Sequence, residues 1–155
     1  MSDDLLRDFS FPGEQEDLIS FHSEEIDFEP DQPRKLDQWI RSVVESQKCT
    51  LGFLNIIFCD DNYLHRMNVE YLDHDTLTDI ITFPYANPPR IEGDIFISLD
   101  RVRENADAFQ VPFAHELHRV IIHGVLHLCG QGDKTPREKG EMRAKEDAAL
   151  DLLGE

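Results

Sequence analysis

Two histidines one helical turn apart are the residues of this sequence best suited to chemistry. His123 and His127 stand at positions i and i+4 of the run HGVLHLCGQGD, so in a helix their imidazoles lie about 40° apart on one face. Gly130 can end that helix in a left-handed conformation, and the next two residues let the chain fold back. Asp133 then becomes the natural third ligand of one metal ion.

Three protein ligands and one open position are typical of a catalytic zinc ion, which lowers the pKa of a bound water to about 7. The two histidines alone are a weak sign, because pairs at this spacing occur by chance on many helices. The full pattern H-x3-H-x2-G-x2-D favours a metal. We therefore expect one Zn²⁺ ion held by His123, His127 and Asp133.

The residue after the first histidine separates two classes of zinc enzyme. The protease motif H-E-x-x-H places its general base there. This chain has Gly124 instead, which can neither accept nor donate a proton. A zinc-dependent peptide or amide hydrolase is therefore disfavoured, but it stays open as an alternative.

Other polar residues near the motif are weaker candidates. Arg119 lies one turn before His123 and is either a phosphate contact or a surface or helix-pairing residue. Asp79, at the start of a predicted strand, either orients the attacking water or caps the strand. We expect Glu116 to be structural, because it lies two turns from His123, about 10 Å along the axis. Cys129 falls on the opposite side of the helix.

Hydrophobic periodicity predicts the elements that must position these residues. An amphipathic helix is predicted from Pro33 to Gln47, and Phe113 to Leu128 forms the helix of the two histidines. Shorter helices follow Asp60 and Asp100, and Thr135-Pro136-Arg137-Glu138 is a capping box that begins the last helix. β-Rich runs predict strands within Leu18 to Phe28, Thr50 to Cys59, Asp79 to Phe83 and Asp94 to Leu99.

These elements predict an α+β fold, a mixed β-sheet of about four strands with helices packed on it. The metal site would lie at the end of a central helix. No repeat or low-complexity linker divides the chain. We therefore expect residues 1–155 to form a single metal-dependent hydrolase domain, in which the acidic start, residues 1–16, is a candidate for mobility.

The composition excludes several classes of protein. The chain has 15 Lys and Arg against 32 Asp and Glu, a net charge of −17, of which residues 1–32 carry −10. This excess argues against a general binder of nucleic acid, and no DNA partner is expected. No apolar run is long enough for a membrane helix, and MSDDLLRDFS has no basic region followed by an apolar one, so we expect no secretory signal. Three cysteines without paired spacing fit a reducing compartment, so we expect a cytoplasmic protein.

The histidine motif resembles the signature of the YbeY family of single-strand-specific metallo-endoribonucleases, H-G-x-L-H-L-x-G-[YH]-D-H. The chain reproduces the H-G-x-L-H-L-x-G part at residues 123–130. Upstream, TDIITFP at residues 78–84 resembles the family segment T-[DN]-V-L-S-F-P, and Gly93-Asp94-Ile95 resembles its G-D-I strand. The resemblance spans about Leu18 to Leu153.

This resemblance implies a zinc-dependent cytoplasmic endoribonuclease on an α+β fold. The role that the resemblance implies is in the 3′-end maturation of 16S ribosomal RNA and in ribosome quality control. The expected partners are single-stranded ribosomal RNA and the small ribosomal subunit or its assembly factors.

Two positions depart from the family pattern. The third metal-binding histidine of the family falls on Asp133, whose carboxylate also binds zinc but should leave the bound water somewhat less acidic. The arginine of the family segment Y-R-x-K-D is Leu72, and His74 takes the lysine position. We name His74, Asp79 and Arg119 as candidate catalytic groups and leave the general base unassigned. A non-catalytic, metal-stabilised ribosome-associated factor stays open as a further alternative.

Overall fold

The computed structural model describes residues 17–72 and 78–155. His74 and the acidic start, residues 1–16, lie outside these described residues. In chain order the elements are β1 (Ile19–Ser23), α1 (Pro33–Ser46), β2 (Thr50–Cys59), α2 (Asp61–Leu72), β3 (Ile80–Pro84), β4 (Arg90–Ser98), α3 (Leu99–Phe109), α4 (Phe113–Leu128) and α5 (Pro136–Leu153).

The strands form one mixed sheet in the order β1-β2-β4-β3. β1, β2 and β4 run parallel, and β3 pairs antiparallel with β4. β2 and β4, the two longest strands, occupy the centre of the sheet, where each pairs along both of its edges. The predicted α+β fold with a four-stranded mixed sheet is confirmed.

The two faces of the sheet carry different layers. Alternate residues of β4, Ile95 and Ile97, pack into the main core beneath α1, α4 and α5. Phe96 points to the other face and joins a smaller cluster with Leu64 of α2. This alternation follows from the period of two in a β-strand.

The helix of the two histidines lies at the centre of the main core. Its apolar residues Val120, Ile121, Val125 and Leu126 are buried. A Cβ atom placed on Gly124 would lie 2.8 Å from Ile80 Cδ1 and 3.0 Å from Ile95 Cδ1. Gly124 therefore allows α4 to approach the sheet closely, and the sheet fixes the position of the helix that carries the two histidines.

Three boundaries differ from the sequence predictions. Residues 26–28 are not a strand, because the turn after β1 is closed by bonds such as Ser23 Oγ to the Phe28 carbonyl, at 2.5 Å. β4 begins at Arg90, where it pairs with Thr50 of β2. The cap of α3 is the Ser98 hydroxyl, while Asp100 accepts a hydrogen bond from the backbone of Asp61.

The described part of the chain contains no helix with the length and apolar character needed to cross a membrane.

Candidate metal centre

His123 lies between two carboxylates, one at each ring nitrogen. Its Nε2 is 3.3 Å from Asp133 Oδ2, and its Nδ1 is 2.7 Å from Glu146 Oε2. The hydrogen bond to Glu146 raises the pKa of His123, and burial opposes this effect. The ring is therefore fixed by Glu146 with its second nitrogen directed at Asp133.

The turn between α4 and α5 brings Asp133 to this position. Gly130 has a φ of +104°, and the Gln131 N–H donates to the Leu126 carbonyl at 3.0 Å. The start of α5 is fixed by the predicted capping box, in which Thr135 and Glu138 bond to each other's backbone N–H. Asp133 thus lies in a short turn between the end of α4 and the start of α5, both of which are held by hydrogen bonds, as the glycine-rich spacing predicts.

His127 lies one turn beyond His123, and its side chain is exposed. It takes no part in the hydrogen bonds that join His123 to the two carboxylates. An exposed imidazole changes rotamer within nanoseconds. The structure therefore brings two of the three predicted ligands together and leaves the third on the adjacent turn.

Asp79 immediately precedes β3, and its carbonyl accepts a hydrogen bond from the Ser98 N–H at 3.0 Å. Burial raises the pKa of its carboxyl group, and nearby His123 partly offsets this effect. In the structure, Asp79 and His123 therefore interact electrostatically.

Arg119 donates to two carboxylates of α5. Its Nη1 is 3.0 Å from Glu146 Oε1, its Nη2 is 2.9 Å from Asp147 Oδ1, and its side chain is only 13% exposed. A phosphate contact by Arg119 would require at least one of these ion pairs to open.

A shallow hollow of about 280 Å³ adjoins the site. It is lined by His123, Asp133, Lys139, Met142, Arg143 and Glu146. Lys139 and Arg143 are exposed bases of α5, and both line the same hollow as the candidate metal ligands His123 and Asp133. The lining thus combines two exposed bases with the carboxylates of Asp133 and Glu146.

The donor chemistry at this point suits a metal ion. An imidazole nitrogen and a carboxylate oxygen converge, and the other ring nitrogen is held by a second carboxylate, as is common for metal-binding histidines. Within residues 17–72 and 78–155, no three His, Cys, Asp or Glu side chains are gathered closely enough to hold an ion as they stand. Completing the set of three requires His127 to turn toward Asp133.

Glu146 is the functional residue that sequence reasoning missed. It lies 23 positions after His123 and is 5% exposed. One signal was present in the sequence: Glu146 shares the apolar face of α5 with Met142, Ala149 and Leu150. A carboxylate at a buried helical position needs a partner.

Two other residues lie as expected. Glu116 is buried with 4% exposure, and burial raises the pKa of its carboxyl group. Cys129 packs beside Cys49, and burial raises the pKa of its thiol to about 12.

Three comparisons relate the chain to known proteins. The family model "Endoribonuclease YbeY" matches residues 17–154. The endoribonuclease YbeY of Flavobacterium psychrophilum is 53% identical over 136 residues, which cover 88% of this chain and 96% of the relative. That of Amoebophilus asiaticus is 50% identical over 129 residues, with 83% and 88% coverage.

A solved structure shares the fold. The solution structure of TM1509 from Thermotoga maritima superposes with a TM-score of 0.62 and 25% identity, covering 85% of this chain and 86% of that one. The family model's match at residues 17–154 includes every described helix and strand, the histidine helix among them. The chain therefore belongs to the YbeY family of endoribonucleases, hydrolases whose substrate is RNA.

Proposed function

We propose that this chain is a zinc-dependent, single-strand-specific endoribonuclease of the cytoplasm, acting in 3′-end maturation of 16S ribosomal RNA and in ribosome quality control. The observation that carries the zinc part of the proposal is the placement of His123 between Asp133 and Glu146. The RNA part rests on family membership.

His123 and Asp133 would hold the ion, with His127 as the third ligand after rotation of its side chain. A zinc ion so held supplies an activated water and offsets negative charge that develops on the phosphodiester. Asp79 is our candidate to accept or orient a proton of the water, because its carboxylate interacts electrostatically with His123. His74 stays a candidate for phosphate binding at the family's lysine position.

Lys139 and Arg143 are proposed to bind the RNA phosphates. Both line the hollow beside His123 and Asp133, whereas Arg119 is engaged by two carboxylates. Among the residues that the structure describes, the ion pair of Arg143 is a long, exposed one with Asp147, at 3.9 Å, so its guanidinium is available at little cost.

The substrate is proposed to be presented by the small ribosomal subunit or an assembly factor. A net charge of −17 repels free RNA at long range. A partner that delivers the RNA would remove the need for high intrinsic affinity.

The peptide-hydrolase alternative receives no support from the position of Gly124. This residue faces Ile80 and Ile95 of the sheet, so a general base here could not point into the hollow. The non-catalytic alternative keeps one supporting feature, Leu72 in place of the family arginine.

The deciding experiment incubates the purified protein with single-stranded ribosomal RNA, with and without a chelator. Asp133→Ala is the test variant, and Glu70→Gln, an exposed carboxylate of α2, is the matched control. We expect cleavage by wild type and the control, and its loss with chelator or in Asp133→Ala. Zinc binding without cleavage would favour the non-catalytic factor, and cleavage that is equal in Asp133→Ala at matched zinc content would refute the proposed site.

A further inference from the structure

The strongest feature outside the predicted ligands is the fixation of His123 from α5. Glu146 Oε2 lies 2.7 Å from His123 Nδ1, in a helix face otherwise made of apolar residues such as Met142 and Ala149. Burying an ionised carboxylate is costly unless it is paired and hydrogen-bonded. Its presence here requires partners that offset this cost.

Arg119 provides the second partner. Its Nη1 donates to the other oxygen of Glu146 at 3.0 Å, and its Nη2 donates to Asp147 at 2.9 Å. The carboxylate of Glu146 is thus held from two sides, by the imidazole of α4 and by a guanidinium one turn earlier on the same helix. Rotation of the Glu146 side chain would break both contacts at once.

We propose that Glu146 is a positioning residue that sets the tautomer and orientation of His123, and that Arg119 positions Glu146 instead of contacting RNA. Glu146 accepts the Nδ1–H of the neutral imidazole, so the lone pair is left on Nε2, the nitrogen directed at Asp133. This inference rests on the proposed function in one respect, since it takes His123 as a metal ligand.

The physical reason is that only an unprotonated ring nitrogen can bind a cation. The hydrogen bond at one nitrogen of a histidine decides which tautomer is present and how the ring is oriented. Without Glu146, Nε2 would carry a proton for part of the time and the ring could turn away from Asp133. Metal affinity would fall although every ligand was still present.

The test compares Glu146→Ala and the isosteric Glu146→Gln with wild type. The tautomer of His123 is measured in the metal-free protein from its ring ¹⁵N chemical shifts, at a pH at which the ring is neutral, and zinc affinity is measured by competition with a chelator. We expect Glu146→Ala to mix the tautomers and to weaken zinc binding by about 10–100-fold. Glu146→Gln keeps one acceptor oxygen for the two donors, His123 Nδ1–H and Arg119 Nη1–H, so it should also lower the population of the Nδ1–H tautomer and weaken zinc binding, while filling the same volume as Glu146.

Glu116→Gln is the matched control. It removes an equally buried carboxylate, 4% exposed, that lies outside the hydrogen bonds of His123. We expect neither the tautomer nor zinc affinity to change. Arg119→Met should weaken zinc binding less than Glu146→Ala does and leave the KM for RNA unchanged.

The outcomes separate this inference from the proposed function. A His123 tautomer that is unchanged in Glu146→Ala overturns the role of Glu146, even if the variant is less stable. An Arg119→Met variant with normal zinc affinity and a raised KM overturns the role of Arg119. If wild type binds no zinc but the tautomer shifts in Glu146→Ala, the proposed function fails and the positioning role of Glu146 stands.

Discussion

At the scale of single residues, Asp79 experiences two opposing influences. Burial raises the pKa of its carboxyl group, and the nearby His123 lowers it by less. A raised pKa makes this carboxylate a better proton acceptor than a solvated aspartate. It also means that the folded protein holds the proton of Asp79 more tightly than the unfolded chain does.

We therefore predict opposite effects of Asp79→Asn on activity and stability. RNA cleavage should fall by about 10²–10⁴-fold if Asp79 accepts a proton, and the rise of kcat/KM with pH through the raised pKa should flatten. The Tm of the metal-free protein at pH 7 should increase, because the ionised form of Asp79 opposes folding above its unfolded pKa.

The gain in Tm should shrink as the pH falls toward the ordinary aspartate pKa of about 3.9, where both states are protonated. Thermal unfolding at several pH values, beside cleavage assays, measures both effects. A variant that loses stability at pH 7 would assign Asp79 to capping the strand, the other reading of its position.

The residues of the site divide by how locally they are specified. His123 and Asp133 belong to one continuous motif. They lie ten positions apart, and the local path of the chain brings them together. Glu146 reaches His123 only because α5 packs on α4, and no pattern within either helix encodes that contact. The exposed placement of His127 depends on a rotamer, which spacing does not determine.

At the scale of elements, the close packing of α4 on the sheet makes Gly124 a structural requirement. We predict that Gly124→Ala destabilises the protein by about 1–3 kcal/mol, because its Cβ would crowd the Cδ1 atoms of Ile80 and Ile95. In the middle of α5, a Cβ added to Gly140 would meet no described atom within 4 Å other than those of its chain neighbours and the surrounding helix backbone, so Gly140→Ala should stabilise the protein by roughly 1 kcal/mol.

Urea denaturation of both variants measures the two effects. A Gly124→Ala variant as stable as wild type would mean that the sheet yields easily at this point. In that case α4 would not be fixed at the distance that the structure gives.

The cap of α5 links the turn that holds Asp133 to the helix that holds Glu146. The Thr135 hydroxyl accepts from the Glu138 N–H at 3.1 Å. We predict that Thr135→Ala costs about 1 kcal/mol of unfolding free energy and weakens zinc binding through the turn. Ser98→Ala, which removes the side-chain cap of α3, is the control: it should cost stability and leave zinc affinity intact.

Elements with strong local signals were predicted correctly, and those that depend on pairing were shifted. The capping box and the apolar periodicity placed α5 and α4, whose observed starts are Pro136 and Phe113. The predicted strand began at Asp94, but β4 begins at Arg90, because it pairs there with Thr50 at the start of β2. The start of β4 is thus set by its register with a strand distant in sequence, which local patterns do not reveal.

At the scale of the whole molecule, the net charge of −17 disfavours RNA binding, but the residues around the site are richer in bases. Residues 115–145 hold six bases and four acids, but Arg119 among them is neutralised by Glu146 and Asp147. The positive charge directed at the hollow therefore comes from Lys139 and Arg143. Affinity for RNA should depend on these two residues more than on the total of −17.

Salt dependence distinguishes local contacts from net charge. We predict weak binding of single-stranded RNA, with an affinity that falls steeply as salt rises. Lys139→Ala and Arg143→Ala should each reduce the slope of log affinity against log salt by about 0.7, the value for one lost phosphate contact on a single strand. Arg66→Ala changes the net charge equally on α2, on the far face of the sheet, and should leave the slope unchanged. Fluorescence titrations at several salt concentrations measure this slope.

Two outcomes would contradict these expectations. An equal reduction of the slope in all three variants would show that total charge controls binding. Tight binding of arbitrary RNA at physiological salt would contradict delivery of the substrate by a partner.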